Sequence, residues 1–204
     1  AYKEGFGPLP GSITHLPFND VGALQATISS KTCAVIVEPI QGEGGVRIPE
    51  AGFLQDLREL CDQNGLLLMF DEVQTGMGRT GTWFGYQQTG VTPAGLSLAK
   101  GLAGGVACGS LMAREDVATA LRPGMHASTF GGNSLAMAAG LATGQTIEQE
   151  GLLEHVRRNA EAVRSRLTSL QEELPVIREV RICGMMIGIE LNVPSGPAVA
   201  ACME

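Results

Sequence analysis

The sequence predicts an α/β fold in which helices cover both faces of a parallel sheet. Three observations carry that expectation. CAVIVEPI (33–40) and LLLMFDEV (66–73) are continuous apolar runs, richer than a strand with one wet face requires. Between them Phe53, Leu54, Leu57, Leu60 and Cys61 recur at helical spacing. Strand, helix, strand in that order is the repeating unit of a doubly covered sheet.

The elements follow in chain order. The first run is β-branched and ends as a strand at Pro39, because proline cannot donate to a ladder. The helical stretch 49–64 closes at Gly65, a residue suited to a left-handed cap. After the second buried strand, GLSLAKG (95–101) and GSLMA (109–113) read as two more short strands joined by glycine-rich connections. Past Gly132 the character changes. Residues 133–150 are rich in Ala, Leu and Gln and read as a helix. A second helix places Leu152, Val156, Ala160, Val163, Leu167, Leu170 and Leu174 on one stripe, with Glu161, Arg164 and Arg166 on the wet side, and Pro175 ends it. VIREVRICGMMIGIEL (176–191) alternates like a strand pair. We expect a large α/β domain over 1–147 and the start of a smaller α+β domain over 148–204.

Composition narrows the function. Fourteen Lys and Arg against 21 Asp and Glu give a net charge of −7, and no basic cluster offsets it, which argues against nucleic-acid binding. No apolar run reaches the ~18–20 residues of a membrane span. The first residues lack the basic-then-apolar pattern of a secretory signal, so the expected location is the cytoplasm. Five scattered cysteines form no C-x-x-C pair and three distant histidines have no ligand spacing, so neither disulfides nor a metal site is expected. The sequence starts on Ala1 and stops in AVAACME, which resembles an unfinished helix; we expect a piece of a longer protein.

Four features carry chemistry. Gly76, Gly78 and Gly81 spell G-x-G-x-x-G after a strand, but no helix and no acid about 20 residues later follow as a dinucleotide fold requires. A tight turn is the simpler expectation. Lys100 follows Leu96, Leu98 and Ala99 at a strand end among glycines. There it is either a solvated strand cap or a desolvated amine nucleophile. Asp71 closes the run LLLMF at the end of a parallel strand, where ligands bind. It suits either a helix cap or a protonated ring nitrogen. Lysine and acid together are the minimum equipment for pyridoxal phosphate. Last, STFGGN (128–133) offers Ser128 and Thr129 beside unshielded backbone amides before a helix, a phosphate cradle or a capping turn.

Taken together, VEPIQGEGGV, LLLMFDEVQTGMGRTG, LAKGLAGG, HASTFGGN and GMMIGIEL resemble the class III pyridoxal-phosphate aminotransferases in order and spacing, over essentially all 204 residues. The resemblance implies a type I aminotransferase fold, part of its large mixed-sheet domain with the start of the small domain. It also implies a homodimer with its site at the subunit interface. By the same resemblance Lys100 is the Schiff-base lysine and proton carrier. Asp71, Glu72, Val73, Gln74 and Thr129 join it in binding the cofactor: Asp71 at the ring nitrogen, Val73 on a ring face, Gln74 near the ring hydroxyl, Thr129 at the phosphate from the partner subunit. Ser128, Glu43 and Glu38 are implied on the substrate side, Glu43 as the partner of a substrate-side arginine. The implied reaction takes the amino group of N-acetylornithine to 2-oxoglutarate, giving N-acetylglutamate semialdehyde and glutamate in arginine biosynthesis. Succinylornithine, ornithine and 4-aminobutyrate are the alternative donors.

The sequence departs from the family pattern at Pro93-Ala94-Gly95, at Val106-Ala107-Cys108-Gly109 and at Ala127 between His126 and Ser128. These positions bear on packing and the substrate side. The family's Gly-Thr phosphate loop, its stacking aromatic and its carboxylate-binding arginines have no counterpart in these residues, so the fragment alone is expected to be inactive. Two other readings stay open here: a catalytically silent fragment, and a nicotinamide dehydrogenase, which would leave Lys100 without a task.

Overall fold

The structure, a computed structural model, describes residues 5–204. Its centre is a four-stranded sheet in the order β1 (Ala34–Val37), β2 (Leu67–Asp71), β3 (Gly95–Leu98), β4 (Ser110–Ala113). β1 and β2 run parallel with Val37 opposite Phe70, and β2 and β3 run parallel with Asp71 opposite Ser97. β4 is antiparallel to β3, Leu98 facing Ser110, so the sheet is mixed and not wholly parallel. The reason is chain length. Residues 99–109 hold only a 3-10 turn at Lys100–Ala103, too little for the helical crossover that a parallel return needs.

α2 (Phe53–Gln63) is the crossover between β1 and β2. Its predicted stripe of Phe53, Leu54, Leu57, Leu60 and Cys61 is buried, and it packs in one cluster with Leu68, Phe70, Leu96 and Leu98 from the sheet. Leu68 and Phe70 are 0% exposed. Burying side chains of this size stabilises the fold by about 2 kcal/mol each. α1 (Val21–Thr27), capped by the Asp20 carboxylate accepting from the Ala23 amide at 2.7 Å, adds Leu24 to this face. Phe18 meets Phe53 edge to face at 5.2 Å between ring centres.

The opposite face departs from expectation. Strand residues alternate between faces, and the set pointing away from α2 is Ile36, Leu67, Met69, Asp71 and Ser97. Ile36 is 67% exposed and Leu67 37%. Among the described residues this face is open, so a doubly covered sheet is not what they form. Asp71 stands on the open face and Glu72 on the closed one, a consequence of adjacent positions in an extended chain.

The rest of the chain is an α/β layer against the sheet's connecting loops. α3 (Glu115–Ala118) is a short surface helix. α4 (Ser134–Gln149) starts at an Asn133 cap, whose side-chain oxygen accepts from the Ala136 amide at 3.0 Å, and it packs on the Lys100–Ala103 turn. It runs unbroken through residue 147 to Gln149, and Gly151 in a left-handed conformation then redirects the chain. α5 (Leu152–Glu173), with Ala160 buried, packs against β5 (Ile177–Cys183), which pairs antiparallel with β6 (Met186–Leu191). Arg164, expected on the wet side, donates to the Ile182 carbonyl at 2.9 Å. α6 (Gly196–Cys202) is a short exposed helix near residue 204.

Candidate active site

Asp71 ends β2 and Lys100 lies two residues past the end of the neighbouring β3, so parallel pairing brings the two to one edge of the sheet. Asp71 Oδ1 accepts from the Val73 amide at 3.0 Å and from the Ser97 hydroxyl at 3.2 Å. These bonds fix the carboxylate and leave Oδ2 with acceptor capacity. Past Asp71 the ladder continues for one bond, Glu72 N to the Ser97 carbonyl at 3.0 Å. That bond locks the alternation which separates the two acids.

A cavity of about 320 Å³ opens at this edge, bordered by Val46, Val73, Gln74, Gly76, Met77, Arg79, Lys100 and Gly101, with Met185, Met186 and Ile187 from the β5–β6 hairpin. Its size suits a small-molecule site. Backbone strain converges on it. Four non-glycine residues among those described have positive φ, and Val46 (51°), Met77 (54°) and Lys100 (48°) all border this cavity. A left-handed conformation costs a side-chain-bearing residue about 1 kcal/mol or more, most for a β-branched one like Val46. Such strain persists where surrounding contacts over-determine the backbone, and it clusters at functional sites.

The predicted residues divide into groups. Val73, Gln74 and Lys100 border the cavity, and Asp71 is tied to its wall through the Val73 amide. Glu43 reaches it through Gln74, and Glu38 is tied to the same loop through the Gly42 amide. Gln74 Nε2 donates to Glu43 Oε1 at 3.3 Å, and Glu38 Oε2 accepts from the Gly42 amide at 2.9 Å. Glycine at position 42 leaves room for the Gln74 amide where it stands, since a Cβ there would lie 2.3 Å from the end of that side chain. Ser128 and Thr129 are not brought to the cavity. Their loop is exposed, and Ser128 Oγ accepts from the Gly131 amide at 3.0 Å, a turn-closing bond.

Glu72 also stands apart from the cavity. It is 1% exposed, and its carboxylate accepts from the Gly85 and Tyr86 amides at 2.8 Å each and from the Thr75 hydroxyl. Its acceptor capacity is spent on fixing the 3-10 turn Gly85–Gln88, where Tyr86 stacks on Phe84 with ring centres 5.9 Å apart. In this geometry Glu72 holds the fold and does not face the space that Lys100 borders.

The glycines of G-x-G-x-x-G have steric tasks. A Cβ on Gly76 would meet the Glu72 carbonyl at 2.8 Å, one on Gly78 the Leu153 side chain at 3.0 Å, and one on Gly81 the Arg157 side chain at 2.9 Å. They let the turn after β2 pass under α5, where Arg157 donates to the Gly81 carbonyl at 2.6 Å. The hairpin docks beside it, with Met185 N donating to the Arg79 carbonyl at 2.9 Å. Sequence reasoning missed Val46, Met77, Arg79 and the three hairpin residues. All but Arg79 are apolar and unremarkable singly, and only the tertiary fold gathers them.

Among the described residues no group of three or more metal-ligating side chains assembles, and no helix is long and apolar enough to cross a membrane.

Comparison with known proteins gives these residues their context. Residues 1–202 match the family described as aminotransferase class-III. Acetylornithine aminotransferase from Agrobacterium fabrum is 49% identical over 201 residues, covering 98% of this chain and 50% of that protein. The Methanopyrus kandleri protein of the same name is 50% identical over 191 residues, covering 94% of this chain and 48% of its own length. Among solved structures, ornithine aminotransferase from Toxoplasma gondii superposes with a TM-score of 0.88 at 38% identity, over 93% of this chain and 46% of that one. Acetylornithine aminotransferase from Elizabethkingia anophelis gives 0.85 at 36%, over 93% and 48%. A second structure of the Toxoplasma enzyme has PLP at partial occupancy in its active site. The chain spans about half the length of the curated relatives it matches.

Proposed function

This chain belongs to the class-III aminotransferases, and on that premise we propose that the protein containing it is a pyridoxal-phosphate-dependent transaminase. Its proposed reaction moves the amino group of N-acetylornithine to 2-oxoglutarate. The observation that carries the reading is the pairing of Asp71 and Lys100 at adjacent parallel strand ends, beside a cavity that Val73 and Gln74 also border. The residues fit the group on their chemistry: an amine, an amide, a branched apolar side chain and a fixed carboxylate with one oxygen to spare.

When bound, pyridoxal phosphate supplies an electron sink for a carbanion next to the substrate nitrogen. Lys100 Nζ would hold the group covalently and, once displaced by the donor, carry a proton between the two reacting carbons. Asp71 Oδ2 would keep the ring nitrogen protonated, with Oδ1 already restrained by Val73 and Ser97. Val73 would pack on a ring face and Gln74 would hydrogen-bond the ring hydroxyl. Gln74 also joins the cofactor side to Glu43, whose carboxylate would meet a substrate-side arginine. Thr129, with Ser128 beside it, would serve the phosphate of the partner subunit's site, in keeping with a loop exposed on this chain. We further propose a division into 1–147 and 148–204, a homodimer, a cytoplasmic location and a role in arginine biosynthesis.

Borohydride reduction of the full-length protein with pyridoxal phosphate, followed by peptide mapping, tests the reading. A phosphopyridoxyl adduct on Lys100 and not on surface lysines is expected, and Lys100→Ala should lose both the adduct and turnover. Selective labelling elsewhere, or retained turnover in Lys100→Ala, would overturn it.

A further inference from the structure

The loop that carries Glu43 is short of internal support. Residues 41–47 form a narrow hairpin closed by two bonds between Gln41 and Arg47, at 3.0 and 2.9 Å. At its tip the Gly45 and Val46 amides both donate to the Gly42 carbonyl at 3.1 Å, and both tip residues have positive φ. What holds the tip comes from β5. The Arg181 side chain is 10% exposed, and its Nε donates to the Gly45 carbonyl at 2.9 Å. The same guanidinium pairs with Glu190 at 2.7 Å and with Glu179, so its plane is fixed from the far side. Gly188 on β6 permits the contact, since a Cβ there would meet the Gly45 carbonyl at 2.9 Å and Val46 at 3.1 Å.

We infer that Arg181 is a positioning residue that sets, from the C-terminal hairpin, where the loop presents Glu43 to Gln74. This rests on the function proposed above only for Glu43's substrate-side task; the clamp itself stands on geometry. A rigid fork explains the choice of arginine. One donor is committed to the loop carbonyl and another to the carboxylates, a division that a lysine ammonium on a flexible stem does not reproduce.

The test uses the full-length protein loaded with pyridoxal phosphate, as wild type, Arg181→Gln, Arg181→Lys, Gly188→Ala, Glu43→Gln and the Arg181→Gln/Glu43→Gln pair. Amide exchange at Gly45 and Val46 should quicken by about tenfold in Arg181→Gln and in Gly188→Ala, the effect of losing one well-formed bond. Arg181→Lys should keep most of the thermal stability and still lose that protection. If Arg181 acts through Glu43, the kcat/KM ratio of the donor and 2-oxoglutarate half-reactions should shift in Arg181→Gln, and the double variant should be no worse than Glu43→Gln alone. Unchanged exchange at 45–46, or additive losses in the double variant, overturns the inference. If Arg181→Gln fails to fold, Arg181→Lys carries the same comparison. A wild type that folds and exchanges as expected but transaminates no donor sinks the proposed function and leaves the clamp standing on the exchange data.

Discussion

Glu72→Gln separates the two tasks that neighbouring acids share at the end of β2. Glu72 Oε2 takes the Gly85 amide and the Thr75 hydroxyl, and Oε1 takes the Tyr86 amide. Glutamine keeps one acceptor oxygen. Its best placement leaves that oxygen at the Oε2 position and turns the NH₂ group toward the Tyr86 amide, donor against donor. Hydrogen bonds to a charged group contribute about 1.5–3 kcal/mol each. The substitution forfeits one such bond, weakens the other two by removing the charge, and buries an unsatisfied N–H. A destabilisation of about 3–4 kcal/mol is expected from these terms. Urea unfolding of the full-length protein measures it, and the absorption maximum of bound pyridoxal phosphate, read beside it, should not move, because Glu72 does not border the cavity. A loss below about 1 kcal/mol would refute the burial argument. A shifted absorption maximum at unchanged stability would mean that Glu72 works on the cofactor side after all.

Three further outcomes are expected. Gly184→Ala should cost about 2–4 kcal/mol by urea unfolding, because its Cβ would stand 2.5 Å from the Thr80 backbone at a φ of 56°; exchange at the Met185 amide should quicken, and a loss under about 1 kcal/mol would show that the hairpin docks more loosely than described. The Glu190 carboxyl is held below its ordinary value of 4.5, chiefly by its bond from Arg181 and further by Arg178 and Arg47. A group lowered on folding adds stability that is complete above the unfolded value and fades as pH falls through the folded one. Exchange within β5–β6, corrected for intrinsic rates, should therefore quicken as pH drops below that value, and Glu190→Gln should flatten the dependence; a pH-independent wild type would count against the pairing. Cys61 is 0% exposed and burial pushes its thiol up. Iodoacetamide at neutral pH should leave it unmodified until urea unfolds the protein, and labelling of the native state would mean that the α2 face opens readily.

Much of the sheet could be read from the chain because the signals are local. Burial on α2 follows its stripe residue for residue, and the strands at 34–37, 67–71 and 95–98 lie inside the apolar runs that predicted them. The direction of β4 was harder to read, since it depends on how little structure residues 99–109 can build and not on the composition of Ser110–Ala113. The open sheet face was equally hidden. Leu67 and Met69 read as core residues by hydrophobicity, and only the described structure shows that nothing covers Leu67. Asp71 and Lys100 were legible as a pair because each interrupts an apolar run at a strand end. Adjacency in sequence hid where Glu72 lies: the side chain next to Asp71 points to the other face of the sheet. Val46, Met77 and the hairpin residues gave no sequence signal, because what singles them out is their backbone conformation or contacts made across more than a hundred positions.

The Arg181–Gly45 bond joins residues 136 positions apart. During synthesis the Glu43 loop therefore leaves the ribosome long before the side chain that steadies it exists. At about 5–20 residues per second the interval is roughly 7–27 s. Throughout it, the tip is held by two bonds to the Gly42 carbonyl and by the Gln41–Arg47 bridge, with Val46 in a left-handed conformation. A nascent chain stalled late in that window would already contain β1, β2 and β3 with Asp71 and Lys100, and would still lack Arg181. Order along the chain thus sets the strand ends that carry Asp71 and Lys100 ahead of the hairpin that steadies the Glu43 loop.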